Sequence, residues 1–324
     1  MIENNNENYK KKLNWIVALR DYGIYIALFI LILAFCAASS NFAEASNFIL
    51  ILLQASVTGI ISIGMLFVIL TGGIDLSVGS TLALAGILSG IFAQMDPLPL
   101  NIFLAISIPL IIGLMCGIFN GFIVAWGKVP ALIVTLGTMY AYRGFVVWYR
   151  VNPIYNLQKW YRIIGQDSLG PIPIPVVLFF IIILIAYVVL NMTRFGRYVY
   201  AVGGNEPAAK AAGINVRVTK LCVYAISGLL CGLAGLVFTS RLGAAQAISG
   251  EGFEMTAIAS VVVGGASLTG GKGSVGKTVI GSLIIQVLSN GLVMLNVPST
   301  IQQIIIGMII ISAVGLDNLF RKSS

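Results

Sequence analysis

Residues 193–216 read TRFGRYVYAVGGNEPAAKAAGINV. This is one of the few long polar interruptions in an otherwise apolar chain. It carries Arg194, Arg197 and Lys210, and Arg217 and Lys220 follow just beyond it. Asn205 can cap a helix, Glu206 suits the positive end of the helix dipole, and Pro207 is tolerated in a first turn. Gly213 can close such a helix in a left-handed conformation. The spacing predicts a short amphipathic helix, flanked by positive charge and held between two membrane spans. It is either an ordinary cytoplasmic loop or a docking element, since so small a helix has little core of its own.

The surrounding composition sets the class. The chain has 324 residues, 58% hydrophobic and 9% charged, with mean hydropathy +0.99. Soluble domains carry about 25% charge. Apolar runs near the bilayer-spanning length recur throughout, which implies an all-α polytopic membrane protein with almost no soluble domain. Histidine is absent, which excludes His-based metal sites and Ser-His-Asp triads. Cys36, Cys116, Cys222 and Cys231 all fall in apolar runs and read as small buried hydrophobes. The net charge of +8 fits cytoplasmic loops facing anionic membrane lipid rather than nucleic acid.

In order, the spans are expected over residues 22–38, 47–70, 78–93, 100–125, 129–149, 175–192, 220–240, 253–268, 276–295 and 300–316. No A-x-A-like cleavage site follows the first run, so it is read as a retained span. Residues 150–175 form a longer polar loop. Of the 19 Lys and Arg, Arg143, Arg150, Lys159, Arg162 and Arg241 fall outside, and the other fourteen fall in inside segments. That bias puts both termini, and residues 193–219, in the cytoplasm.

A weak internal echo links Gly72-Gly73-Ile74-Asp75-Leu76-Ser77 to Gly264-Gly265-Ala266-Ser267-Leu268-Thr269. Each follows an apolar run and leads through Val-Gly into the next. Either the chain holds parallel repeats, common in transporters, or glycines recur at helix ends. Asp75 is a carboxylate in an apolar setting. It either belongs to a broken helix near a pathway or, the simpler reading, Asp75 or Ser77 caps the third span.

Gly271 to Thr278, GKGSVGKT, fits G-x-x-x-x-G-K-[ST]. That motif has meaning only between a strand and a helix of a soluble α/β unit. Here a membrane span follows, so the stretch reads as a glycine-rich cytoplasmic turn. Gly113, Gly117 and Gly121 share a helix face, as do Gly228, Gly232 and Gly235; such faces let spans approach closely. Polar groups inside spans are Gln54, Ser56, Thr58, Asn120, Thr135, Thr138, Gln286, Asn290 and Gln302. Uncharged amides and hydroxyls suit a pathway for a neutral polyhydroxyl solute, or serve as interhelical glue.

Taken in order, TGGIDLSVGS, GIFNGFIVAWGKVPALIVTLGTMYAYRG, GRYVYAVGGNEPAAKAAGINV and VVVGGASLTGGKGSVGKTVIGS resemble the permease subunits of the ribose/galactose-type ABC sugar importers of bacteria. The likeness covers roughly residues 20 to 320. It implies a cytoplasmic tail over residues 1–20 and one transmembrane permease domain over 21–324, with about ten helices in the bacterial inner membrane. It also implies two permease subunits, identical or different, with cytoplasmic ABC ATPase subunits inside and a sugar-binding protein outside. The chain would bind no cofactor and catalyse nothing itself; ATP would be used by the partner. The family's coupling loop maps onto Gly203, Gly204, Asn205, Glu206, Ala209 and Gly213. Candidates for the pathway or a broken helix are Gly72, Gly73, Asp75, Ser77, Asn120, Thr135, Gln286 and Asn290. The competing class is an ion-coupled secondary transporter of a small polar solute. It would need an embedded charge relay, which only Asp75 and Arg143 approach.

Overall fold

The computed structural model describes residues 22–322; the expected tail over 1–20 lies outside them. The described chain is helical, apart from one two-residue-strand hairpin pairing Ser168–Leu169 with Ile172–Pro173. Helix α1 (Tyr22–Ala38) leads through a 3-10 turn to α2 (Ala45–Leu70), α3 (Val78–Ala93), α4 (Pro99–Trp126) and α5 (Ala131–Tyr149). Then come α6 (Lys159–Gln166), α7 (Ile174–Met192), α8 (Arg194–Gly204) and α9 (Glu206–Ala211). The chain closes with α10 (Val216–Leu242), α11 (Phe253–Val263), α12 (Val275–Met294) and α13 (Ser299–Lys322). Six helices, α2, α4, α5, α7, α10 and α12, are long and apolar enough to cross a membrane. Four shorter apolar helices accompany them: α1, α3, α11 and residues Ser299–Ser312 of α13. This is a polytopic membrane protein.

The core is built around α2 and α10. Every residue of α2 from Ala55 to Leu70 is buried, as expected of a helix that is apolar all round. Helix α10 lies against α2, α3 and α4. The α4–α10 contact uses the expected glycine faces. A Cβ on Gly113 would stand 2.8 Å from Gly232 Cα, and one on Gly228 would stand 2.7 Å from Gly117 Cα. Gly235 instead faces Leu82 and Ala85 of α3.

Several boundaries differ from expectation. Helix α10 starts at Val216 rather than 220, because the Asn215 side chain accepts from Val218 N at 3.2 Å and caps it earlier. Helix α11 stops at Val263 rather than 268, because Gly265 turns left-handed at φ +80°. Arg143, counted with the outside set although it falls in the expected fifth span, stands well inside α5. The loop over 150–175 contains α6 and the small hairpin. Tyr161 of α6 is fully buried, with its hydroxyl 2.8 Å from Ser89 Oγ.

The two glycine turns are the same motif. Gly72 N donates to Ile69 O at 2.9 Å and Gly73 N to Val68 O at 3.1 Å. Gly265 N donates to Val262 O at 2.8 Å and Ala266 N to Val261 O at 3.1 Å. Both are Schellman closures around a left-handed glycine, Gly72 at φ +76° and Gly265 at +80°. The matching position is therefore Gly265 and not Gly264, one residue from the letter-by-letter alignment. Backbone conformation, not the glycine pair, sets the register.

Candidate functional site

Residues 193–216 form two helices rather than one. Helix α8 is capped by Thr193, whose Oγ1 accepts from Gly196 N at 3.2 Å. Asn205 caps α9 as expected, accepting from Ala208 N at 3.0 Å. Glu206 pairs with Lys220 at 2.7 Å, the one salt bridge among the described residues. Glu206 is exposed, so the pair itself is worth about 0–1 kcal/mol. Ala209 is buried beside Val202 and Val216, which gives this platform its own small core. Gly213 closes α9 at φ +83°, with Ile214 N donating to Ala209 O at 3.1 Å.

The platform is keyed into the end of α2. Gly203 abuts the Leu70 carbonyl, where no Cβ could fit, and a Cβ there would also stand 2.6 Å from Gly271 N. Gly271 N donates to that same Leu70 carbonyl at 2.9 Å. Gly204 lies against Gly271. Tyr200 Oη donates to Gly273 O at 3.0 Å, and burial pushes the Tyr200 phenol up, so it stays protonated. The GKGSVGKT stretch is thus a wedge between α2 and α8. The element before it is helix α11 and not a strand, so the context required of a phosphate loop is missing. Its Ser274 caps α12 by accepting from Lys277 N at 3.4 Å.

Directly beyond α2, residues 71–77 are unwound between α2 and α3, with Gly72 exposed, Ile74 half-buried and the rest buried. Ile74 O accepts from Thr135 Oγ1 of α5 at 3.2 Å and from Tyr224 Oη of α10 at 3.3 Å. Asp75 is 2% exposed. Its Oδ1 accepts from Ser77 N at 3.0 Å and Ser77 Oγ at 2.6 Å, and its Oδ2 accepts from Ser227 Oγ of α10 at 3.0 Å. Asn120 Nδ2 of α4 donates to Ser77 Oγ at 2.8 Å. Tyr142 Oη of α5 donates to Cys116 O at 3.3 Å and, more weakly, to Asn120 Oδ1 at 3.5 Å. The expected helix cap does not form: the Ser77 side chain makes no cap bond. Asp75 instead closes a local turn on Ser77 and reaches across to α10. The reason is depth. A buried carboxylate must find donors, and the hydroxyls of two helices supply them.

Six of the eight pathway candidates therefore gather at this break: Gly72, Gly73, Asp75, Ser77, Asn120 and Thr135. Gln286 and Asn290 do not join them. Gln286 Nε2 donates to Thr58 Oγ1 at 3.0 Å, and Asn290 Nδ2 to Asn47 Oδ1 at 2.9 Å, along the α2–α12 seam. Ser227, Tyr224 and Tyr142 complete the network and were not singled out in the sequence. Ser227 did carry a signal, a hydroxyl beside the glycine face of α10. A cleft of about 920 Å³ is lined by residues of both the break and the platform, among them Gly72, Gly73, Tyr224, Lys210, Gly213 and Arg217.

A family model described as branched-chain amino acid transport system / permease component matches residues 47–314. The chain belongs to this permease family. Similar proteins include the ribose import permease protein RbsC of Haemophilus influenzae, 45% identical over 299 residues, covering 91% of this chain and 92% of the relative. RbsC of Bacillus subtilis is 42% identical over 320 residues, covering 97% of each chain. The D-allose transport system permease protein AlsC of Escherichia coli is 40% identical over 318 residues, covering 97% and 96%. No solved structure matches. As a member of this permease family, the chain is a multi-pass protein of the bacterial inner membrane. The break, the cleft and the platform all fall within the matched residues.

Proposed function

We propose that the chain is the membrane permease subunit of an ABC importer for a simple sugar of the ribose or allose class. It spans the membrane about ten times with both termini in the cytoplasm, and it uses ATP hydrolysed by separate cytoplasmic subunits. A second permease subunit and an extracytoplasmic sugar-binding protein complete the assembly. The relatives named above are ribose and allose permeases, which favours a sugar over the amino acid in the family's heading. The chain binds no cofactor in this reading. No observation favours the ion-coupled carrier: both Asp75 oxygens already accept hydroxyl or amide hydrogens.

The observation that carries the mechanism is the seat of Gly203 on the Leu70 carbonyl. There is no slack between the platform and the end of α2, so force on α8 and α9 is delivered to the break at 71–77. The exposed surface offered to an ATPase subunit includes Gly204, Asn205 and Glu206, while Ala209 and Gly213 hold its shape. Movement at the break would rearrange the hydroxyl network and switch access to the pathway. The test is a reconstituted importer with its ATPase and binding protein. Reversing the charge at Glu206 (Glu206→Arg), or inserting flexible residues after Gly213, should abolish sugar-stimulated ATP hydrolysis while leaving the complex assembled. Unchanged stimulation would refute the platform's role.

A further inference from the structure

Two observations outside the break converge on α5. Helices α5 and α7 leave most of their apolar stretch unburied to a similar degree, yet the mean hydropathy of that stretch is 1.3 in α5 and 2.9 in α7. Part of that difference is inside, at buried Thr135 and Thr138, and part lies on the open side, between exposed apolar residues such as Leu136 and Trp148. The open side of α5 carries Tyr140, 69% exposed. It also carries Gly137 and Gly144, with nothing within 4 Å of an added Cβ. Half-buried Arg143 adjoins this face, about 18 Å along α5 from Ala131 at 1.5 Å per residue. That is well inside a hydrocarbon layer about 30 Å thick.

The second observation is the path of the segment after α10. Ala245 packs on Gly90 and Gly250 packs on Gly79. Those two glycines lie eleven residues apart on α3, about 16 Å. The segment therefore descends from the outer end of α3 to its first turn. Arg143 holds it there, donating to Ala247 O and, at 2.9 Å, to Ser249 O. At this depth the chain presents Ile248, 67% exposed, and Met255, 47% exposed. Glu251 is exposed as well, and the Glu254 carboxylate lies over the bare Cα of Gly79. Unwound backbone and an exposed carboxylate are not stable against lipid; they persist only where they meet water or protein.

We propose that the Gly137–Tyr140–Gly144 face of α5 and the re-entrant segment Gly243–Gly252 line the water-filled pathway of the sugar, with Arg143 as the positioning residue that fixes the segment. The proposal rests on the permease reading. Its solute is a polyhydroxyl compound, whose hydroxyl hydrogens the Glu251 carboxylate can accept.

The test uses the assembled importer in membrane vesicles, with the four native cysteines replaced. Single cysteines are placed at Tyr140, Ile248 and Glu251, with Phe119 of α4 and Phe180 of α7 as exposed apolar controls. A charged, membrane-impermeant thiosulfonate should modify the first three faster than the controls by roughly an order of magnitude or more, because charged reagents do not enter lipid. Rates at Ile248 and Glu251 as slow as at Phe180 would overturn the assignment, whether lipid or a second subunit covers them. Sugar uptake by the cysteine-free parent importer separates the two readings: uptake by the parent with unreactive cysteines in the variants sinks the lining alone, whereas absent uptake by the parent sinks the permease reading. For Arg143, both bonds come from one guanidinium nitrogen, so an ammonium can replace them. Arg143→Met should change the labelling rate at Ile248 and reduce uptake, and Arg143→Lys should restore both. An unaltered labelling rate in Arg143→Met would remove the positioning role.

Discussion

Asp75 concentrates the energetics of the break in one side chain. It accepts three hydrogen bonds, from one backbone amide and two hydroxyls. Replacing it with alanine strands those donors in a buried site, at a cost of about 1–3 kcal/mol. Asparagine keeps an acceptor for the Ser77 amide, and the Ser227 hydroxyl can turn to accept from the new amide. Thermal unfolding of the purified permease should therefore fall clearly for Asp75→Ala and less for Asp75→Asn. Equal shifts would mean the network does not hold the break. Asp75 was visible in the sequence as a misplaced carboxylate. Its partner was not, because Ser227 lies 152 positions away and no local pattern joins two such residues. Gln286 and Asn290 were grouped with Asp75 on chemistry alone; the structure sends them to the α2–α12 seam, since residue type carries no information on depth.

At the scale of elements, the glycine faces of α4 and α10 were legible because a spacing of four residues fixes a helix face whatever the tertiary fold. A methyl group at Gly113 or Gly228 has no room, and overpacking of this kind costs about 1–3 kcal/mol. Gly113→Ala and Gly228→Ala should each lower the unfolding temperature, while Gly137→Ala, with open space around it, should not. A fall at Gly137 matching the other two would refute packing as the cause. Helix α8 escaped notice because its Arg194, Arg197 and Gly203 disguise it as loop, while Val199, Val202 and the Tyr200 contact to Gly273 hold it in place. The echo of the two glycine turns was visible but misaligned by one, since a pair of adjacent glycines does not reveal which of them turns left-handed.

For the whole molecule, the short helices decide how often the chain crosses. Helix α3 has 16 residues and α11 has 11, so they measure about 24 Å and 16 Å against a hydrocarbon layer of about 30 Å. Neither crosses by itself. Residues 71–77 bring the chain to the start of α3, and the Gly243–Gly252 descent brings it to the start of α11, so each unwound segment supplies the missing depth. Such backbone inside a membrane is allowed because protein or a cavity surrounds it. The proposed ten-span reading counts each segment and its helix as one crossing, which makes the number of crossings even and puts both termini on one side. In that reading the excess of Lys and Arg in the segments placed inside assigns this side to the cytoplasm. Alkaline phosphatase, which works only outside the cytoplasm, inserted after Gln246 should be active, and inserted after Lys272 it should be inactive. Activity at both sites would mean that α11 turns back without crossing, which would put the C-terminus outside and remove the turn at 264–274 from the reach of any cytoplasmic ATPase.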